Sequence, residues 1–169
     1  MPEWLNEILH PELGQHIRID RVLLRKTTDL PISVDTYKAR SARRAVDAGA
    51  VIINDIWGLK AEPELAEVAA ETFAGLVLMH NQKGTQYLNL VPDLVPSLKD
   101  SVRTALEAGV PRDNIIVDPG IGFGKTPDQN LAVLARLDEL KELDCPILVG
   151  TSRKSTLGLL LDLPAEERV

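Results

Sequence analysis

A short apolar run that ends in an aspartate and continues into a glycine-rich loop lies at residues 115–125, where the sequence reads I-I-V-D-P-G-I-G-F-G-K. The run at 115–118 does not alternate between apolar and polar residues, which is typical of a strand covered on both faces, as in a parallel sheet. The three glycines that follow permit positive φ angles and a close approach of the backbone to a ligand. Phe123, between them, can form an apolar wall. A loop of this kind directly after a buried strand predicts a binding site.

Four other runs of the same character make a repeating pattern along the chain. Segments of helical periodicity separate them, and this alternation predicts a parallel α/β sheet, either an open doubly wound sheet or part of a closed barrel. The phosphate-binding fingerprints of open sheets, G-x-G-x-x-G and G-x-x-x-x-G-K-[ST], are absent. We therefore predict a partial (β/α)8 TIM barrel of about five parallel strands with outer helices. The four further runs are residues 31–35, 51–54, 75–79 and 146–150.

Local signals mark the limits of two helices between these runs. Gly109 follows an apolar stripe at residues 94–106, where a left-handed helix end favours glycine. Thr126 and Gln129, with a proline directly after the threonine, fit a capping box at the start of another helix. The whole chain, residues 1–169, is interpreted as one partial barrel domain, in which residues 1–28 form a helical segment without clear limits.

Polar residues follow several of the predicted strands. Asp35, Asn54 and Asp118 stand at three strand ends, and Lys154 follows the fifth run. Because the carboxyl ends of parallel barrel strands meet on one face, these side chains are predicted to converge. Two carboxylates and a carboxamide supply the acceptors and donors that the edge of a flat, nitrogen-rich ring requires, such as a pteridine or a purine. The alternative is that the three residues only cap the helices after them.

Two cations and two serines follow the fifth run, in the segment T-S-R-K-S at residues 151–155. Between a strand and a helix, they are placed where backbone N–H groups and cations can meet an anion. Alternatively, Arg153 and Lys154 form an ordinary surface charge pair. His80, after the third run, is either a packed or capping histidine or a catalytic one.

The composition argues against some classes of protein. The formal net charge is −6 at pH 7, whereas a nucleic-acid surface needs a concentrated positive footprint. Cys145 is the one cysteine, which suits a reducing compartment. No apolar run approaches the roughly 18 residues of a membrane helix, and the N-terminus lacks the order of a signal peptide. We therefore expect a cytoplasmic protein with neither a membrane nor a nucleic acid as partner.

Five segments, in their order and approximate spacing, resemble the dihydropteroate synthase family. The glycine loop D-P-G-I-G-F-G-K and the segment S-R-K-S are specific to it, whereas the D-T and N-D pairs are shared with the pterin domains of folate-dependent methyltransferases. The resemblance covers residues 29–169. The segments are P-I-S-V-D-T-Y-K-A, I-I-N-D-I, V-L-M-H-N, I-I-V-D-P-G-I-G-F-G-K-T and I-L-V-G-T-S-R-K-S.

The resemblance implies a barrel enzyme of folate biosynthesis that joins p-aminobenzoate to 6-hydroxymethyl-7,8-dihydropterin diphosphate, with Mg²⁺ assisting the release of pyrophosphate. It implies that Asp35 stabilises the cationic pterin methylene left when pyrophosphate departs, and that Lys154 reaches both substrates. It also implies a homodimer for the full-length enzyme, and it assigns no metal ligand to this chain. The implied substrate-binding residues are Asp35, Asn54, Ile56, Met79, Asp118, Phe123, Gly150, Lys154 and Ser155.

Some parts of the family pattern have no counterpart in this sequence. A complete barrel needs eight strands and about 250 residues. The N-V-T-P-D-S-F segment of the Mg²⁺ and pyrophosphate loop and the G-G-E-S-T-R-P segment of a second loop are absent, as are the Arg and His of the last strand. We therefore expect these 169 residues to correspond to strands three to seven of a longer enzyme and to be inactive alone. A methyltransferase pterin domain and a non-catalytic pterin-binding module are the alternatives.

Overall fold

Four parallel strands form the centre of the computed structural model, which describes residues 30–168. They pair in chain order, each beside the next. Four of the predicted runs are thus confirmed as parallel strands, whereas the predicted helical segment at residues 1–28 lies outside the described residues. The strands are β1 (Ser33–Asp35), β2 (Ile52–Asp55), β3 (Gly75–Met79) and β4 (Ile115–Asp118).

Helices occupy the connections, since a chain that returns to a parallel neighbour must cross over between strands. Three short 3-10 helices, at Arg112–Asn114, Leu137–Leu143 and Ala165–Glu167, complete the described part of the chain. Within residues 30–168, no helix combines the length and the apolar character needed to cross a membrane. The α-helices are α1 (Ala39–Asp47), α2 (Leu65–Thr72), α3 (Leu90–Glu107), α4 (Pro127–Ala135) and α5 (Ser155–Leu161).

Both predicted helix-end signals are confirmed. The Thr126 side chain accepts from the backbone N–H of Gln129 at 3.3 Å, and the Gln129 side chain accepts from the backbone N–H of Thr126 at 2.8 Å. This capping box satisfies two N–H groups that the first turn of α4 cannot bond internally. Gly109 follows α3 with a φ of 94°, a left-handed conformation that glycine adopts without a Cβ penalty.

The strand register assigns alternate residues to two faces of the sheet. Val34, Ile53, Leu76 and Ile115 pair in one continuous row, so their side chains share a face. That face packs against the helices, and the row belongs to or lies against the buried apolar core. Burial of these branched side chains is the main force holding the helices on the sheet. The helical residues of this core include Leu65, Val68, Leu94, Leu98 and Val102.

The fifth predicted run does not form a strand of its own, and one parallel bridge joins Val117 to Ile147. The backbone N–H of Val117 donates to the carbonyl of Pro146 at 2.9 Å, and that of Leu148 donates to the carbonyl of Val117 at 2.8 Å. In a parallel ladder, the next bonds on either side would need N–H groups at Pro146 and Pro119, and proline has none. The run therefore lies beside β4 but is fastened by a single rung.

Candidate functional site

The face of the sheet opposite the apolar core carries the polar residues predicted for the site. Asp35 pairs with Asn54 across β1 and β2, and Met79 pairs with Asp118 across β3 and β4. Because Asn54 also pairs with Val77, two residues before Met79, all of these side chains share one face near the carboxyl ends of the strands. We call this face, at the strand ends, the site face. The register thus brings Asp35, Asn54 and Asp118, three of the four residues predicted to converge, to one face.

The predicted polar ligands do not cap the helices that follow their strands. The N-cap positions of α1, α2 and α4 are occupied by Lys38, Glu64 and Thr126. The alternative interpretation, in which the residues at the strand ends serve only as helix caps, is therefore wrong for all three.

Asn54 and Asp35 form a hydrogen-bonded pair in which one acceptor remains without a partner. The amide nitrogen Nδ2 of Asn54 donates to Oδ1 of Asp35. The amide oxygen Oδ1 of Asn54 is buried and, among the described residues, has no hydrogen-bond partner. Nearly every buried polar atom in a folded protein is paired, so this oxygen is suited to receive a donor from a bound ligand. Asp35 itself is exposed at the end of β1.

The residue after Asn54 belongs to the other face. Asp55 is buried, with Oδ1 accepting from the Trp57 N–H at 2.9 Å and Oδ2 from the Leu59 N–H at 2.6 Å. Burial raises the pKa of this carboxyl group, and the backbone N–H groups oppose the rise. In the N-D pair, therefore, the asparagine is available to a ligand, whereas the aspartate holds the turn that follows β2.

Asp118 is buried at the end of β4, with 5% of its surface exposed. Its Oδ1 accepts from the backbone N–H of Gly120 at 2.7 Å. Burial raises the pKa of its carboxyl group, and the Gly120 N–H and the cations of Lys154 and Lys125 oppose the rise. A carboxyl group in so poorly solvated a place can form strong charge-assisted bonds to ligand N–H groups.

Lys154 reaches back from the start of α5 to the glycine loop. Its Nζ donates to the carbonyl of Ile121 and lies 4.8 Å from the centre of the Phe123 ring. A Cβ added to Gly150 would be 3.8 Å from this Nζ, so that glycine is also a neighbour. Burial lowers the pKa of Lys154, and Asp118 opposes the change. The structure thus assembles a cation and an aromatic face beside the Asp118 carboxyl group.

Ile56, Ser155 and Arg153 lie at the margins of this group. Ile56 directly follows β2 and is half-buried, whereas Ser155 is exposed as the first residue of α5. Arg153 is exposed with a φ of 60°, and its backbone N–H donates to the carbonyl of Arg168 at 2.8 Å. The substrate contacts implied for Ile56 and Ser155 stay predictions.

Lys125, at the end of the glycine loop, is a buried cation that sequence reasoning missed. Its Nζ donates to the carbonyls of Gly120 at 3.0 Å and Phe123 at 3.1 Å, and it lies 3.3 Å from Nδ1 of His80. Burial lowers the pKa of Lys125 to about 8. Burial, together with the nearby Lys125, lowers the pKa of His80 to about 3, so this histidine is neutral at pH 7 and can accept from the lysine. These contacts favour the packed interpretation of His80.

Close backbone contact explains a glycine at the start of this loop. Gly120 has a φ of 72°, and a Cβ built on it would lie 2.0 Å from the carbonyl oxygen of His80. No side chain fits there without displacing the end of β3 or β4. All three loop glycines, Gly120, Gly122 and Gly124, use the positive φ that glycine permits.

Asn130 is the second residue missed from the sequence, although an amide at an inward position of an amphipathic helix was a usable signal. It lies on α4 with 1% of its surface exposed. Its Oδ1 accepts from the Gly122 N–H at 2.8 Å, and its Nδ2 donates to the carbonyl of Thr126 at 2.9 Å and to Oγ1 of Thr156 at 3.1 Å. Its amide therefore links the glycine loop, α4 and α5.

The described residues do not form a group of side chains that could bind a metal ion. Among residues 30–168, no three His, Cys, Asp or Glu side chains are grouped so as to hold a metal ion. The Mg²⁺ expected from the family resemblance therefore finds no fitting set of ligands in the described residues.

Relatives of known identity share both the sequence and the fold of this chain. A dihydropteroate synthase from Clostridium beijerinckii is 51% identical over 146 residues, which are 86% of this chain and 54% of the relative. The crystal structure of dihydropteroate synthase from Clostridium difficile, determined in the presence of pteroic acid, matches with a TM-score of 0.83 and 43% identity over 86% of this chain and 56% of that one. The chain thus spans about half the length of these relatives.

A further structure and a family model agree with these matches. The dihydropteroate synthase of Xanthomonas albilineans with 4-aminobenzoic acid has a TM-score of 0.81 and 38% identity, over 85% of this chain and 53% of that one. The sequence model of the family described as pterin binding enzyme matches residues 16–169. Four parallel strands with outer helices are accordingly part of the α/β barrel of these enzymes. The chain belongs to the pterin-binding enzyme family.

Proposed function

We propose that the protein is a dihydropteroate synthase, a transferase of folate biosynthesis, and that these residues form its pterin site and part of its arylamine site. The observation that carries the proposal is the buried amide oxygen of Asn54, an acceptor without a partner on the site face. Such an atom is costly to bury unless a ligand completes it. The relatives crystallised with pteroic acid and with 4-aminobenzoic acid support this choice of ligands.

The pterin edge is assigned to three side chains. Oδ1 of Asn54 accepts one ring or amino N–H, and the carboxyl groups of Asp118 and Asp35 accept others. Met79, buried on the same face, and Ile56 contact the flat ring. A ring with several N–H donors along one edge matches this arrangement of acceptors.

The arylamine is assigned to the side of Lys154 that is opposite the pterin. Phe123 offers an aromatic face, and Gly150 leaves space because it has no side chain. Ser155 is the first residue of α5 and directly follows Lys154, so it is assigned a contact with the same ligand. The Lys154 cation is near enough to Asp118 to oppose the rise in the pKa of its carboxyl group, and it lies 4.8 Å from the centre of the Phe123 ring, so we assign to it contacts with both substrates.

In the proposed reaction, the bond between the pterin methylene carbon and the diphosphate oxygen breaks, and the oxygen keeps the electron pair. The arylamine nitrogen then attacks this carbon and loses a proton, so a new C–N bond replaces the C–O bond. The Asp35 carboxylate lies on the site face, where it can stabilise positive charge that develops on the methylene. Lys154 lowers the energy of negative charge on the departing side.

Three further properties are proposed for the whole protein rather than for these residues. Mg²⁺ is expected to assist the diphosphate, but the described residues offer it no ligand set, so no step is assigned to it. We also propose a homodimer. A cytoplasmic location fits the single cysteine and the small, charged metabolites used as substrates.

Asp118→Asn tests the proposal. Calorimetric titration with 6-hydroxymethylpterin should show affinity lower by about tenfold to a hundredfold, since a charge-assisted acceptor is lost. Asp55→Asn is the matched control, because it makes the same change on the helix face and should leave pterin affinity within about twofold. If the unaltered chain binds no pterin, or if Asp118→Asn binds it equally well, this assignment of the site is wrong.

A further inference from the structure

We propose that Asn130 is a positioning residue that fixes Phe123 relative to Lys154 and thereby sets the affinity for the arylamine. This inference rests on the proposed function, which assigns the arylamine to contacts with these two side chains. Among the described residues, Asn130 has no hydrogen bond to either side chain. It acts through Gly122, which precedes Phe123, and through Thr156, two residues after Lys154.

The glycine loop and α5 need such a link because the backbone does little to join them. The run that leads into α5 is fastened to β4 by the single bridge between Val117 and Ile147. Beyond that bridge, the loop meets α5 through side chains. A Cβ on Gly122 would be 3.0 Å from Cδ of Lys154, so the loop and the lysine are in direct contact. A shift of either segment would therefore change how Lys154 lies over the Phe123 ring.

The buried amide of Asn130 is suited to hold this distance. Its oxygen receives the loop N–H, and its nitrogen divides its two hydrogens between the carbonyl of Thr126 and the hydroxyl of Thr156. The amide oxygen and both amide hydrogens of Asn130 are therefore paired, and only 1% of the residue is exposed. Since an unpaired buried donor or acceptor is costly, the amide resists rotation, and the two segments move together or not at all.

The ligand chemistry that depends on this spacing is that of a flat aromatic amine with an anionic group. Its ring requires the face of Phe123, and its anion requires the Lys154 cation, which lies 4.8 Å from the centre of that ring. The pterin, by contrast, relies on Asn54 and Asp118, which are fixed by strand pairing. Loss of the Asn130 hydrogen bonds should therefore lower the affinity for the arylamine more than the affinity for the pterin.

Two variants separate the bonds of Asn130. Asn130→Asp keeps the acceptor for Gly122 but places a second oxygen against the carbonyl of Thr126. Thr156→Val removes only the link to α5. With saturating pterin and p-aminobenzoate as titrant, Asn130→Asp should lower arylamine affinity by about tenfold, and Thr156→Val should lower it less. Pterin affinity should change by less than about twofold. The double variant should bind the arylamine more weakly than Asn130→Asp, because the Thr156 hydroxyl can turn to donate to the new carboxylate, and this bond is lost only when Thr156 is also changed.

A spectroscopic measurement detects the displacement without any ligand. The chain has two phenylalanines, so labelling with 4-fluorophenylalanine gives one signal from Phe123 and one from the exposed Phe73. Asn130→Asp should move the Phe123 signal and leave the other in place. Asn114→Asp is the reciprocal control, since Nδ2 of Asn114 donates to the carbonyl of Phe73 at 3.0 Å. It should move the Phe73 signal alone.

The outcomes distinguish this inference from the proposed function. Absence of pterin binding by the unaltered chain counts against the proposed function, and the fluorine signals still report whether Asn130 positions Phe123. Equal arylamine affinity in all variants, with an unmoved Phe123 signal, overturns the role of Asn130. If Asn130→Asp fails to fold, Thr156→Val decides, because it retains two of the three bonds.

Discussion

The two halves of the site differ in how far the chain satisfies its own polar atoms. In the open half, formed by Asp35 and Asn54 at the ends of β1 and β2, one residue is exposed and a buried amide oxygen has no partner in the described structure. In the closed half, formed by His80, Gly120 and Lys125 at the ends of β3 and β4, the lysine makes three polar contacts within the chain.

Under the proposed function, the fold shapes the closed half and a ligand completes the open half. The closed half is bound by its own hydrogen bonds, so changes there should appear first as lost stability. The open half holds an unpaired acceptor, so changes there should appear first as lost ligand affinity. Asp118 lies between the two, with one oxygen bonded to Gly120 and its carboxyl group facing the cation of Lys154.

The largest stability effect is expected from Gly120→Ala in the closed half. The added Cβ would lie 2.0 Å from the carbonyl oxygen of His80, and the residue would keep a φ of 72°. Steric displacement and backbone strain should together lower the free energy of unfolding by about 3 kcal/mol or more, measured by urea denaturation. Gly84→Ala is the control, since its φ is 80° and its Cβ would meet nothing within 4 Å. Equal effects of the two variants would contradict the closed half as described.

A smaller effect, about 2 kcal/mol, is expected from Asp55→Asn. The amide NH₂ would face one of the two backbone N–H groups that the carboxylate now accepts, from Trp57 or Leu59. Denaturation of the variant should show this loss, whereas pterin titration should not. Asp100→Asn, at an exposed residue that pairs with Arg103 at 3.0 Å, should change stability by less than about 0.5 kcal/mol. A loss of pterin affinity in Asp55→Asn would mean that the two faces of β2 are not separate.

The smallest effect is a pH dependence caused by His80. Its pKa is about 3 in the folded chain and near 6.5 ordinarily, so between these values the unfolded state binds more protons. Stability should therefore fall as the pH is lowered through this window, by about 1 kcal/mol between about pH 7 and pH 5.5. His80→Asn, whose Oδ1 can replace Nδ1 as the acceptor for Lys125, should remove this part of the slope in denaturation curves. Parallel slopes for both proteins would show that His80 does not carry it.

The strands could be predicted from the sequence because a buried parallel strand is a run of consecutive apolar residues. The runs before Asn54 and Asp118 are continuous and apolar, and the run before Asp35 carries Ser33 among apolar residues; each forms a strand. The fifth run is also apolar, but prolines stand at the positions where the ladder to β4 needs N–H groups. Its pairing is limited because Pro119 and Pro146 occupy positions where the ladder needs N–H donors. Which positions need donors depends on the register between the two strands, and the sequence of one strand does not give that register.

The site was predicted in part for the same reason. Position after a strand indicated Asn54 and Asp118, but the choice between Asn54 and Asp55 depends on which alternate residue faces the helices. Lys125 and Asn130 were missed because most of their partners are backbone atoms, and because their side-chain partners, His80 and Thr156, lie far away in the sequence. The carbonyl of Gly120 and the N–H of Gly122 are the same in every sequence, so only the folded geometry reveals these bonds.

The single rung between β4 and the fifth run has a consequence for local opening. Released from the sheet, residues 146–155 would break two backbone hydrogen bonds to Val117, whereas β3 would break its bonds to two strands at once. The free energy of opening is therefore expected to be smaller along the seam that carries Lys154 than at β3. Under the proposed function, the arylamine side of the site should therefore open more readily than the pterin edge, which the paired strands hold.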